Sequence, residues 1–188
     1  MIPNNAFTTT PVIGTFLYLQ DTVYTPLTQT VMGGIAISDP SKGRLYQPWS
    51  VNYDGTNILV NPNTAAAVFT MAVPNVVAVS LAFDSNMGIV LAWITSAGIA
   101  VLYYYDSIAV AYTTHSFPGV TSCRLCVDDP ADYFVGSSDV IFGYTNGTNL
   151  CYRQQRDRYL IEYTIAPSTK LLMRMGPTTA NRLQFETF

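Results

Sequence analysis

Met87-Gly88-Ile89-Val90-Leu91-Ala92-Trp93-Ile94-Thr95-Ser96-Ala97-Gly98-Ile99-Ala100-Val101-Leu102-Tyr103-Tyr104-Tyr105 runs for 19 residues without a charge. Its length is that of a membrane-spanning helix. Three features oppose that reading. Asp84 and Asp106 flank the run, and no Lys or Arg lies between Arg44 and Arg124, so basic anchors are missing. Thr95-Ser96-Ala97-Gly98 interrupts the run with turn-forming residues. The two halves, Ile89 to Ile94 and Ile99 to Tyr105, are short and rich in β-branched and aromatic residues. Two strands joined by a hairpin are therefore expected.

The same layout recurs downstream. Asp139 to Tyr144 reads as a strand, Asn146-Gly147 as a hairpin turn that accepts positive φ, and Leu150-Cys151-Tyr152 as the returning strand. Tyr159 to Ile165 follows, with Tyr159, Ile161, Tyr163 and Ile165 on one face. Leu150 and Tyr152 have the opposite parity, so a turn or bulge is expected near Gln154 to Asp157. Sliding back 51 positions aligns Ile89 to Ile94, Ile99 to Tyr105 and Ile108 to Thr114 with these three strands. On that slide Asp106 falls on Asp157, and Tyr112-Thr113 on Tyr163-Thr164. Ile35 to Tyr53 is a candidate third, degenerate copy. A period near fifty residues predicts an all-β fold of antiparallel three-stranded meanders, either partial-propeller-like or a sandwich.

The remaining chain fits one β-rich domain over residues 1–188. Pro3, Pro11 and Pro26 argue for an extended arm over residues 1–30. Asp39-Pro40-Ser41-Lys42-Gly43 and Asp54-Gly55 mark turns. Ala65 to Met71 is the best place for a short helix, although Val68-Phe69-Thr70 also reads as a strand. Gly176-Pro177 ends the pattern, leaving residues 176–188 as a terminal tail or strand. The N-terminus lacks the basic and apolar regions of a signal peptide, so synthesis in the cytoplasm is expected.

Composition points the same way. Charged residues are 11% of the 188, with 13 Tyr, 9 Phe, 12 Gly and 11 Pro. A typical chain carries about 25% charge, so disordered tails, coiled coils and charged bundles are excluded. A surface so poor in charge favours permanent assembly. The net charge of −3 offers no basic field for nucleic acid.

Candidate chemical sites are few. Cys123 and Cys126 form a lone C-x-x-C, and strand alternation sends them to opposite faces. Cys151 and His115 would be needed to complete a zinc site. His115, the single histidine, has no nucleophile motif around it. Asp128 and Asp129 precede Pro130 in a turn-forming context. Asp84-Ser85-Asn86 begins like a calcium loop but lacks its closing glutamate. No catalytic residue, metal or cofactor is expected. Tyr103 and Tyr105 share a strand face, suited to core, interface or sugar stacking.

The segment Asp139 to Tyr163 contains Leu150-Cys151-Tyr152-Arg153-Gln154-Gln155-Arg156-Asp157-Arg158-Tyr159, followed by Glu162-Tyr163. It resembles a segment of virion proteins of tailed bacteriophages, over about 25 of the 188 residues. The resemblance implies a non-enzymatic structural component of the particle, in the tail or its fibre attachment. Its partners would be other virion proteins and further copies of itself, and its location the virion. A receptor- or glycan-binding module of a tail fibre is the alternative, with a host-surface glycan as partner. Arg153, Arg156 and Arg158, bracketed by Tyr152 and Tyr159, are the candidate subunit interface, because arginine forks suit carboxylates and aromatic faces. An internal network with Asp157, Glu162, Asp128 or Asp129 is the competing reading.

Overall fold

The computed structural model describes residues 23–24, 32–37, 48–62, 69–84, 86, 88–128, 139–177 and 182–188. The described residues are all-β apart from one short 3-10 turn. A first sheet joins β1 (Val23–Tyr24), β2 (Met32–Ile37), β3 (Pro48–Tyr53), β4 (Asn57–Pro62) and β5 (Phe69–Ala72). A second joins β6 (Val76–Phe83), β7 (Ile89–Thr95), β8 (Ile99–Asp106) and β9 (Ala111–Pro118). A third joins β10 (Ser122–Val127), β11 (Val140–Thr145), β12 (Asn149–Gln154) and β13 (Tyr163–Pro167). The last is a pair, β14 (Leu172–Pro177) and β15 (Leu183–Thr187). Every neighbouring pair is antiparallel and follows chain order.

Within the uncharged run, Ile89 to Tyr105 form the β7–β8 hairpin, and no helix among the described residues is long and apolar enough to cross a membrane. Gly98 closes its turn at φ +71, and the Gly98 amide donates to the Thr95 carbonyl at 2.9 Å. Gly147 plays the same part at φ +82, where the Asn146 side chain also accepts from the amides of Thr148 and Asn149. A side chain at either φ would be strained, so these turns depend on glycine.

The repeat is real, but its unit has four strands rather than three. The added strands, β6 and β10, open each copy. They are buried along almost their whole length and lack the alternating exposure that marks a half-buried strand. The copies also slip after the first hairpin. Trp93 pairs with Val101 and Tyr144 with Cys151, so Val101 corresponds to Cys151, one step off the uniform slide. The outer strands are Ala111–Pro118 and Tyr163–Pro167, and both begin later than the sequence pattern places them. Ser116, opposite Val101, therefore corresponds to Thr164, opposite Cys151, and Tyr112 does not match Tyr163.

Two readings that left a choice open resolve as strands, and a third lies mostly outside the described residues. Residues 69–71 belong to strand β5 rather than a helix, residues 65–68 lying outside the described residues. Of the terminal tail or strand expected over residues 176–188, residues 183–187 form a paired strand. Of the proposed arm, only Val23–Tyr24 is described, pairing with β2; the turn at 39–43 lies outside the described residues.

The four sheets stack face to face in chain order. Val51, Ile58 and Val60 of the first meet Leu81, Leu91 and Trp93 of the second. Ala92, Leu102 and Tyr104 on the opposite face of the second sheet meet Leu125, Phe142 and Cys151 of the third. Cys126 and Ile141 on the far face of the third meet Met175, with Leu183 and Phe185 alongside. Burying one such side chain stabilises the fold by about 1.5–3 kcal/mol. The first strands are also bonded across the layers. The Ser80 hydroxyl accepts from the Leu125 amide at 3.0 Å, and the Ser122 hydroxyl from the Leu172 amide at 2.6 Å. β2 lies next to β6, β6 next to β10 and β10 next to β14, and in the second and third sheets burial falls from the first strand to the last. This is the arrangement of propeller blades, in an arc whose fourth sheet has two described strands.

Candidate functional site

The arginine-rich segment sits where the second and third sheets meet. β12 ends at Gln154, and the expected kink is a 3-10 turn, Gln155–Asp157. Arg158 and Tyr159 then adopt left-handed backbone, at φ +54 and +58. The turn is closed by the Arg158 amide on the Gln155 carbonyl at 2.7 Å and the Tyr159 amide on the Gln154 carbonyl at 2.9 Å. Consecutive left-handed residues other than glycine are costly and need outside support.

The arginines supply it. Arg156 donates from its amide and its Nε to Asp139, at 2.9 and 2.6 Å, and from Nη2 to Asp128 at 2.7 Å. Arg158 donates from Nε and Nη2 to one oxygen of Asp106, at 2.9 and 2.5 Å, and so ties the third sheet to the end of β8. Arg153 donates to the carbonyls of Tyr159 and Leu160, both at 3.0 Å, and to Glu162 at 3.1 Å. Its guanidinium also lies 4.8 Å from the centre of the Phe117 ring on β9. The Tyr144 hydroxyl joins this group, donating to Glu162 and accepting from Arg153.

The two buried aspartates respond differently. Hydrogen bonds from Arg158 hold the Asp106 carboxyl below its ordinary value. Burial pushes Asp139 up despite its Arg156 partner.

The tyrosines bracketing the cluster part company. Tyr159 is fully buried and packs edge-on against Tyr104, with ring centres 4.7 Å apart. It presents no surface to a partner subunit, a correction to the interface reading: the left-handed turn swings it inward instead of along a strand. Tyr152 stays half-buried and stacks on Tyr163 at 4.9 Å. Every arginine of the cluster has a carboxylate partner within the chain, as the competing reading expects of Glu162 and Asp128. Asp106 and Asp139 were not identified as partners. The only signal was that each adjoins a strand end in a chain with few acids.

The other candidates disperse. Cys123 faces the second sheet and Cys126 the fourth, as alternation requires. Burial pushes the Cys123 thiol up to about 12 and Cys126 well above its usual range. Among the described residues, no three His, Cys, Asp or Glu gather where they could hold a metal ion. The His115 Nε2 is 3.5 Å from the Tyr104 hydroxyl, and burial followed by the charge of Arg158 lowers its pKa. Asp84 caps a turn by accepting from the amides of Asn86 and Gly88, at 2.9 and 2.7 Å. Asp129 and Pro130 lie outside the described residues. Tyr103 and Tyr105 do share a face, and both pack on Tyr112, at 4.8 and 5.5 Å.

Sequence reasoning missed an apolar ridge. The β8–β9 turn exposes Ile108 and Val110, at 72% and 71%, and the turn before β13 exposes Leu160 and Ile161, at 62% and 50%. The Arg158–Asp106 pair joins the bases of these two turns. Reading both stretches as strands hid the ridge. No protein-family model, curated protein or solved structure matches the chain.

Proposed function

We propose that this protein is a non-enzymatic structural subunit of a tailed-phage particle, in the tail or its fibre attachment, and that it works through contacts with neighbouring subunits. The resemblance of Asp139 to Tyr163 supplies the setting. The observation that carries the contact role is the ridge of Ile108, Val110, Leu160 and Ile161. Four exposed aliphatic side chains on two adjoining turns mark an interaction surface. The charges at its base are paired, so the surface suits an apolar protein face. Arg158, with its side chain 41% exposed, stands at the base of the ridge and can extend the contact.

Mass spectrometry of purified particles is expected to find the chain at structural copy number. Ile108→Asp combined with Leu160→Asp should abolish incorporation while leaving the melting temperature of the isolated chain nearly unchanged. Absence from particles, or normal incorporation of this double variant, refutes the reading. A second reading, glycan binding, draws on Tyr112, which is 44% exposed and backed by Tyr103. Tyr112→Ala would then abolish glycan retention and leave particle assembly intact.

A further inference from the structure

In the second and third sheets the second strand is paired on its far side by a third, β7 by β8 and β11 by β12, and in the first sheet the second strand, β2, is likewise paired by β3. β15 is the second strand of the fourth sheet, and among the described residues it pairs with β14 alone. We propose that the free edge of β15 receives an antiparallel strand from a partner protein, with apolar side chains at alternate positions facing the third sheet. This goes beyond the assembly role above and stands on strand pairing, whatever particle the chain serves.

The edge has the required chemistry. Leu171 and Phe188 exchange both backbone hydrogen bonds, at 3.0 and 2.9 Å. Antiparallel alternation then turns the Gln184 and Glu186 backbone towards β14, and that of Leu183, Phe185 and Thr187 towards the free edge. Pro177, which has no amide hydrogen, sits opposite Leu183, where none is needed. An added strand would satisfy this row and lengthen the sheet, a common mode of peptide capture.

Beneath the vacant place lies an aromatic shelf. β14 and β15 cover the third sheet only as far as Met175, Leu183 and Phe185. Further out, Tyr152 is stacked on Tyr163, both half-buried, with the Phe185 ring 6.2 Å from that of Tyr152. In the second sheet the equivalent outer strands are covered: Phe117 of β9 packs against Phe142 and Tyr144 of the third sheet, at 5.3 and 6.3 Å. Alternating apolar side chains on the added strand would cover Tyr152 and Tyr163 in the same way.

A second copy is disfavoured as the donor. Antiparallel pairing of β15 with its own copy has a two-fold axis perpendicular to the sheet. That axis places both copies' β10–β13 sheets on one side, in the same space.

The test is amide hydrogen exchange of the 188-residue chain by NMR, with an eight-residue peptide of alternating valine and threonine and a lysine at each end. The Phe185 and Thr187 amides are expected to exchange freely in the isolated chain and to slow at least about tenfold with saturating peptide. Thr187→Pro removes one edge donor and should abolish the slowing at Phe185, while Gln184 and Glu186 stay protected by β14. Three outcomes overturn the proposal. Exchange unaffected by peptide shows an edge that takes no strand. Slow exchange in the dilute isolated chain assigns the edge to the chain's own residues. Protection that grows with protein concentration alone assigns it to a second copy.

Discussion

The second and third sheets are built on one plan and close it differently. In the second, the β8–β9 turn is self-contained: Asp106 accepts from the amides of Ile108 and Ala109, at 2.9 and 3.3 Å. In the third, the path from Gln154 to Tyr163 is too long and too strained for one capping residue. It relies on Arg153, Arg156 and Arg158. One of those arginines borrows the capping aspartate of the other sheet, so Asp106 serves both turns. A short turn in a repeat can be specified locally; a long one needs tertiary bonds, and here it draws them from its neighbour.

The largest test of the shared plan is in the core. Leu91 and Phe142 occupy corresponding positions, opposite Tyr103 and Arg153 respectively. Phe142→Ala should destabilise by about 3–5 kcal/mol and Leu91→Ala by about 2–5 kcal/mol, measured by denaturant unfolding. A marginal loss at either site would break the equivalence of the two layers.

Next comes Gly143, which corresponds to Ala92. A Cβ at Gly143 would lie 2.3 Å from the Met175 sulfur and 3.2 Å from the Phe185 ring. Gly143→Ala should therefore cost about 1–3 kcal/mol through overpacking. Restoring space with Met175→Ala in the double variant should recover part of the lost melting temperature. If Gly143→Ala alone is neutral, the fourth sheet is more loosely seated than the second-to-third contact.

Arg156→Ala tests the tertiary bonds. It leaves the Asp139 carboxylate buried and short of donors, a loss of about 1–2 kcal/mol given the exposure of Arg156. The pH dependence separates the two aspartates. Asp106 lies below the ordinary 3.8 when folded, so its stabilisation is full above 3.8 and lost as pH falls through the lowered value. Asp139 lies above 3.8 when folded, so proton uptake there favours the folded state as pH falls from the raised value towards 3.8. Relative to the native protein, Asp106→Asn should be less stable at pH 7 and converge with it in acid. Asp139→Asn should instead lack the gain on mild acidification. Parallel unfolding curves for the two variants from pH 7 to pH 3 would contradict this.

The smallest effect is at Val110, a β-branched residue at φ +53 and exposed to solvent. Val110→Gly should raise stability by about 0.5–1 kcal/mol, read as a higher melting temperature. A fall would mean that the second sheet's turn also depends on its side chain.

Much of this fold was legible because turns write themselves locally. Thr95 to Gly98, Asn146-Gly147 and the parity change before Tyr159 each left a mark within a few residues. β6 left none of the expected kind, since a strand covered on both faces shows no alternation, and β10 buries its polar Ser122 and Arg124 along with its apolar residues. The register slip was equally hidden, because it depends on how many residues a hairpin turn consumes. At the candidate site, the arginines were visible as a cluster of rare charges. Their partners were less so: Asp106 lies 52 positions from Arg158, and Asp139 lies 17 from Arg156. Tyr159 looked like a strand residue until its left-handed backbone turned it into the core.

The bonding of β6 to β10, and of β10 to β14, has a mechanical consequence. Every meander is continuous in sequence, and its main contacts reach only the sheets before and after it. Tension applied between residue 32 and residue 188 would load these layers in series, as it does in solenoid repeats. Extension should then proceed in steps, one sheet yielding at a time. The two-stranded fourth sheet, anchored by Met175 and the Ser122–Leu172 bond, should yield first.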